Sequence, residues 1–179
     1  MTKAGDIYGR SLYDLAVEEG NEDLILSQME AVKGIFSENP DYIRLLSEPS
    51  IPKKERLSLL SEAFGDSLDP YLLNFIMILV EKGFLRDFNA CFRTYRSLYN
   101  ADKGIADAVA VSSETLTADE REKLKAKLEA ITGKKVILTE KKDPSLIGGI
   151  RVLVEGKLYD GSVRGRLNEL KRRVDDIVI

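Results

Sequence analysis

Hydrophobic residues recur at helical spacing through the first hundred positions, and then the rhythm changes. Ile7, Ser11, Leu12 and Leu15 share one helical face before Gly20 closes the segment, and Ile25, Met29, Val32 and Phe36 follow at steps of four, three and four. Pro40 can open a short helix carrying Ile43 and Leu46, and "EPSIP" at 48–52 breaks the chain again. Leu57, Leu60 and Phe64 make the next stripe, closed by Gly65. Asp69-Pro70 is an N-cap and first-turn pair for the helix after it. Beyond Gly83, Leu85, Phe88, Phe92, Tyr95 and Tyr99 form another stripe, whose spacing marks a buried helix face. Six helices with short connections predict an all-α six-helix bundle.

At "NADKG", residues 100–104, the period shortens to two. Ala106, Ala108 and Ala110 alternate with Val109 and Val111, a strand whose small-residue face leaves room for a helix to lie close. "TADE" at 117–120 is a capping box opening a helix whose buried stripe is Leu124, Leu128 and Ile131, ended by Gly133. Val136 to Thr139 reads as a second strand, and Ile150, Val152 and Val154 as a third. Glu155-Gly156 turns tightly into a fourth with Leu158 and Tyr159. A last helix carries Val163, Leu167, Leu170, Val174 and Ile177. The second half is thus a small α+β domain of order β-α-β-β-β-α. Charge divides the chain at the same place: residues 1–104 hold 12 basic and 17 acidic groups, residues 105–179 hold 15 and 13. The pattern predicts two domains, 1–104 and 105–179.

Composition removes several kinds of chemistry. Histidine is absent and Cys91 is the lone cysteine, so the commonest general base, the commonest metal ligand and any internal disulfide are missing. No catalytic residue, metal site or cofactor is predicted. A net charge of −3 provides no bulk attraction to nucleic acid or anionic lipid. The stretch "MTKAGDIYGRSLYDLA" has neither a continuous apolar core nor a small-residue cleavage site, so no export signal is expected. The longest apolar run, Leu72 to Val80, is half the length that crosses a bilayer, so no membrane insertion is expected.

The glycine-rich stretch "LIGGIRVLVEGKLYDGSVRGRL", 146–167, is the first candidate for a ligand site. A phosphate loop needs four residues between its first glycine and Gly-Lys, then Ser or Thr. Here six separate Gly149 from Gly156-Lys157, and Leu158 follows. The Gly-Lys pair also falls between two strands, not between strand and helix. Backbone geometry accounts for the glycines instead: Gly148-Gly149 permit a bend into a strand, and Asp160-Gly161-Ser162 turn the chain out of the next one, with Ser162 able to cap the final helix. Lys171-Arg172-Arg173 reads as a solvated face, and no small-molecule substrate is expected. "YLLNFIMILV" is apolar nearly all round, where a surface helix shows one stripe. Either it is a central helix or its second face is kept for a partner, and both hold if a groove beside it stays open.

The stretch "DPSLIGGIRVLVEGKLYDGSVRGRLNELK" resembles the C-terminal signature of the ATP synthase delta subunit family, whose mitochondrial branch is the oligomycin-sensitivity-conferring protein. The matching positions are Asp143, Ser145, Ile147, Gly148, Gly149, Asp160, Ser162, Val163, Arg164, Arg166 and Leu167, with Gly161 inside the second turn. "IYGRSLYDLA" is similar to the family's opening, with Gly9 and Ser11 where alanines are usual and Tyr13 for the usual Phe. "LLSEPSIPKKERLSLL" and "NFIMILVEKGFL" also look like family segments.

The resemblance implies a non-catalytic stator subunit of the peripheral stalk, at the cytoplasmic face of the bacterial membrane. Its helical domain would take N-terminal helices of alpha subunits, and its second domain the C-terminal ends of the b subunits. The family's groove lies between the first and fifth helices, which here carry Ile7, Tyr8, Leu12 and Leu15, and Leu72, Phe75, Ile76, Leu79 and Val80. A helical adaptor for RNA or a regulatory partner, and a histidine-free enzyme using Arg164 and Arg166, are the alternatives from other classes.

Overall fold

The computed structural model describes residues 3–65 and 67–163. The chain divides into two compact units, Met1–Tyr99 and Asn100–Ile179. The final helix expected from Val163 onward therefore lies outside the described residues, apart from Val163 itself.

The first unit is helical: α1 (Lys3–Glu19), α2 (Glu22–Glu38), α3 (Pro40–Leu46), α4 (Lys53–Phe64), α5 (Pro70–Lys82) and α6 (Phe88–Asp102), the last preceded by a 3-10 turn at Leu85–Asp87. Local chemistry marks the boundaries. The Asp69 carboxylate accepts the Tyr71 N–H at 2.8 Å, with Pro70 in the first turn, and Gly83 at φ 74° ends α5 in the left-handed conformation. The predicted stripes close on one core. Ile25, Met29, Val32 and Phe36 of α2 meet Phe64, Phe88, Phe92 and Tyr95, and the Phe36 ring stands edge-on to Phe64 and Phe88 at 6.2 and 5.2 Å. Within that core Tyr95 donates its hydroxyl to the Glu22 carbonyl at 3.0 Å, satisfying a polar atom that burial would otherwise penalise. Burial pushes the Cys91 thiol up to about 11, so this cysteine is a packed apolar group and not a nucleophile.

Glycine at position 9 has a steric cause. A Cβ there would stand 2.6 Å from the Cys91 carbonyl oxygen and 2.9 Å from the Thr94 Cβ, because α1 crosses α6 at that residue. Two further contacts pin the crossing: Thr94 Oγ1 donates to Asp6 at 3.0 Å, and the Tyr13 and Tyr95 rings meet edge to face at 5.2 Å.

The second unit is a mixed four-stranded sheet in the order β2-β1-β3-β4, formed by β1 (Ile105–Ser112), β2 (Lys135–Lys142), β3 (Ile150–Val154) and β4 (Lys157–Asp160), with α7 (Ala118–Thr132) joining the parallel pair β1 and β2. β3 pairs antiparallel with both β1 and β4. The capping box at Thr117 and Glu120 is formed. Ala106, Ala108 and Ala110 are buried in one cluster with Leu128, and the half-buried Leu124 packs against it. Ile131 departs from the expected stripe: it is 59% exposed, standing in the last turn where Gly133, at φ 66°, already turns the chain into β2. β2 is longer than the Val136–Thr139 core that the pattern marked, because its lysine-rich end continues the parallel ladder as far as Ser112 and Lys142. Between β3 and β4, Glu155 and Gly156 both take positive φ, 48° and 77°, as the tightest hairpin turns require.

Two glycine substitutions with opposite signs test this packing. Gly9→Ala should destabilise the protein by about 1–3 kcal/mol, since overpacking against a backbone carbonyl outweighs the gain in helix propensity. Gly34→Ala, in α2 with nothing within 4 Å of the new methyl, should stabilise by about 0.5–1 kcal/mol. Urea unfolding midpoints of the two variants give the comparison.

Candidate functional site

Helices α1 and α5 leave an open apolar trough between them, with a volume of about 340 Å³. Ile7, Tyr8, Ser11, Leu12 and Leu15 form one wall, and Tyr71, Asn74, Phe75 and Ile78 the other. Leu12 and Phe75 make the floor at 3% and 7% exposed, whereas Ile7 and Tyr71 stand on the rim at 54% and 40%. At one end Tyr8 packs against Phe84, ring centroids 5.7 Å apart. At the other, hydrogen bonding with the Glu19 carboxylate, followed by its charge, raises the Tyr71 phenol above its ordinary value. An exposed apolar concavity of this kind, framed by two helices, is what an amphipathic helix can fill.

Of the nine residues expected at the groove, Ile7, Tyr8, Leu12, Leu15 and Phe75 line the trough. Leu72, Ile76, Leu79 and Val80 do not: they are 0–1% exposed and belong to the core on the opposite side of α5. The reason is angular. One helix cannot turn 72, 76, 79 and 80 toward the trough together with 71, 75 and 78, because the two sets point to different sides of the axis. Tyr71 and Ile78 were missed, because a helix apolar nearly all round offers the same four-and-three spacing on more than one side, as 71, 75, 78 and as 72, 76, 79.

The glycine-rich signature builds a lock within the second unit. Asp143 accepts the Ser145 N–H at 3.0 Å, and Asp160 accepts the Ser162 N–H at 2.9 Å, so each Asp-x-Ser forms the same small side-chain turn. Asp143 N–H donates to Ser112, Leu146 N–H to Asp143, Gly161 N–H to Ile150 and Val163 N–H to Gly148. Gly149, at φ 82°, lies so close to the second turn that a Cβ would stand 2.5 Å from the Gly161 carbonyl and 2.7 Å from the Ser162 Cα. Ser162 is 1% exposed, whereas Ile147 is 80% exposed. The backbone N–H groups of residues 143, 145, 146, 161, 162 and 163, which could have wrapped a phosphate, are thus all engaged by the loop itself or by the strands beside it. Arg164, Arg166 and Leu167 lie outside the described residues.

Hydrogen bonds from Ser145 and Ser162 hold the Asp143 and Asp160 carboxyls below the usual aspartate value, with a smaller contribution from Arg151 to each. Both groups therefore release protons more readily in the folded chain than in the unfolded one. Their contribution to stability is complete above the ordinary aspartate pKa of about 4 and is lost as pH falls through the depressed values. An Asp143→Ala, Asp160→Ala double variant should lose that part of the acid sensitivity, so its stability below pH 4 should fall less steeply than the parent's. Chemical denaturation at stepped pH checks this; equal slopes would show that the two turns do not carry it.

Comparison with known proteins follows the same outline. The sequence model of the family described as ATP synthase delta (OSCP) subunit matches residues 5–174. The ATP synthase subunit delta of Lactobacillus johnsonii is 33% identical over 168 residues, covering 93% of this chain and 92% of that protein. That of Shouchella clausii is 30% identical over 168 residues, covering 93% of each. A chain in the cryo-EM structure of the Toxoplasma gondii mitochondrial ATP synthase hexamer superposes with a TM-score of 0.78 at 17% identity, over 97% of this chain and 98% of that one, which is a likeness of fold.

Proposed function

The chain belongs to the ATP synthase delta (OSCP) subunit family, and from that premise we propose that its α1–α5 trough holds an amphipathic N-terminal helix of an alpha subunit while its second unit meets the C-terminal ends of the b subunits. The subunit is a non-catalytic part of the stator, or peripheral stalk, of a rotary F-type ATP synthase. No helix among the described residues is long and apolar enough to cross a membrane. Its place is then peripheral, on the cytoplasmic face of a bacterial membrane, held there through the other subunits.

The observation that carries the reading is the trough itself: an exposed apolar channel on a helix whose opposite face already fills the core. In this reading residues 1–104 grip the head and residues 105–179 grip b, so the chain carries counter-torque from one to the other. A tether of this kind needs two binding surfaces and no reacting group.

For the b contact, support comes from the sheet face that α7 leaves uncovered. Val109, Leu153 and Leu158 stand in register across β1, β3 and β4 on that face. Leu153 is 46% and Leu158 64% exposed, an apolar row that a partner helix could cover.

Two variants test the two surfaces separately. Ile78→Glu in the trough should weaken capture of the alpha-subunit N-terminal peptide by about 2–3 kcal/mol in calorimetry, since a carboxylate would be desolvated against the bound helix. Its helical content by circular dichroism should match the parent's. Unchanged affinity in the folded variant would place the alpha contact elsewhere. Leu158→Asp, at a site already exposed, should leave the fold and the peptide affinity unchanged but reduce co-purification of b from membranes. Retention of b at parental levels would remove this sheet face from the interface.

A further inference from the structure

Each wall of the trough ends in a charge. On α1, Tyr8, Leu12, Leu15 and Glu19 follow at steps of four, three and four, so Glu19 completes the stripe that lines the trough. On α5, Tyr71, Phe75, Ile78 and Lys82 repeat the same steps. The two helices run antiparallel, because Glu19 stands beside Tyr71 at one end while Tyr8 packs on Phe84, two residues past Lys82, at the other. One mouth of the trough is therefore acidic, with Glu18 and the Asp69 cap adding to Glu19, and the other is basic at Lys82.

Backbone dipoles do not supply this polarity, since antiparallel α1 and α5 oppose one another and cancel. Side chains set it. From Tyr71 to Lys82 the helix axis advances roughly 16 Å, about twice the screening length at physiological salt, so the two mouths act on a bound helix as separate charges. Among the described residues neither Glu18 nor Lys82 has an ion-pair partner, which leaves both available to an incoming chain.

We propose that the trough reads direction: it seats the alpha-subunit helix with basic side chains against Glu18 and Glu19 and acidic ones against Lys82. The apolar floor accepts an amphipathic seam either way round, and the terminal charges choose between the two orientations. This inference rests on the reading of the trough as a helix-binding site.

The test uses the full chain and three synthetic peptides built on the alpha-subunit N-terminal segment. One is the parent. The other two keep its apolar seam, with lysines at the start and glutamates at the end, or the reverse. Each designed peptide carries a nitroxide at its N-terminus, and the broadened backbone amides are mapped by NMR. The lysine-first peptide should broaden amides around Glu19 and Tyr71 most strongly, and the glutamate-first peptide those around Lys82 to Phe84. In a Glu18→Lys, Glu19→Lys, Lys82→Glu variant, all at exposed positions, the two patterns should exchange. The Glu18→Lys, Glu19→Lys change alone should weaken the lysine-first peptide about three- to tenfold at low salt, an effect that high salt removes. Broadening at the same mouth for both peptides, or at both mouths equally, overturns directional reading and leaves the trough as a helix site. A parent peptide that does not bind at all overturns the trough reading, and the directional one with it.

Discussion

Helix α1 is pressed onto α6 so closely at Gly9 that no side chain fits between them, and the exposed surface of the helical unit follows from that crossing. The Asp6–Thr94 hydrogen bond and the Tyr13–Tyr95 ring contact hold α1 on this flank. A helix committed there cannot roll across to close over α5. The outer side of α5, with Tyr71, Phe75 and Ile78, is therefore left facing a trough instead of a neighbour. Its inner side, Leu72, Ile76, Leu79 and Val80, supplies the core. One unusually apolar helix thus stabilises the unit and offers a docking surface, with Phe75, buried in the core and forming the trough floor, shared between the two tasks.

The second unit reaches stiffness by another route. It is small, and its sheet has only one helix covering it among the described residues. Rigidity around the signature comes from the two Asp-x-Ser turns: the second is hydrogen-bonded to Gly148 and Ile150 and packed backbone on backbone against Gly149, and the first is tied to Ser112 of β1. A motif that looks made to hold phosphate instead uses its N–H groups to hold itself. For a member of a stator this is the useful outcome, since a connector under torque transmits load only as far as its own loops resist deformation.

The chain has no histidine, its one cysteine is buried, and its family is that of a non-catalytic stator subunit. What it has is surface: a charged-ended apolar trough in one unit and an apolar row across the sheet in the other. Both are the kind of feature that a solitary globular protein would be expected to cover.

Periodicity alone was enough to divide this chain into a helical half and an α+β half, because a stripe at 3.6 residues and an alternation at two each report which face meets a core. It was enough for the stops as well, since Asp69, Gly83, Thr117 and Gly133 act on their immediate neighbours. The signature positions could be located too, because fixed spacings survive in one dimension. The sequence could not say which side of α5 faces inward, for a helix that is apolar all round carries the same pattern for both. That choice belongs to the tertiary structure: α1, held by α6 at Gly9, covers one side incompletely while the core covers the other, so Leu72, Ile76, Leu79 and Val80 went inward and Tyr71 and Ile78 stayed at the trough. The purpose of Gly149 was decided in the same way, because its φ and its nearness to the Gly161 carbonyl exist only once residues twelve apart in the chain have been folded against each other.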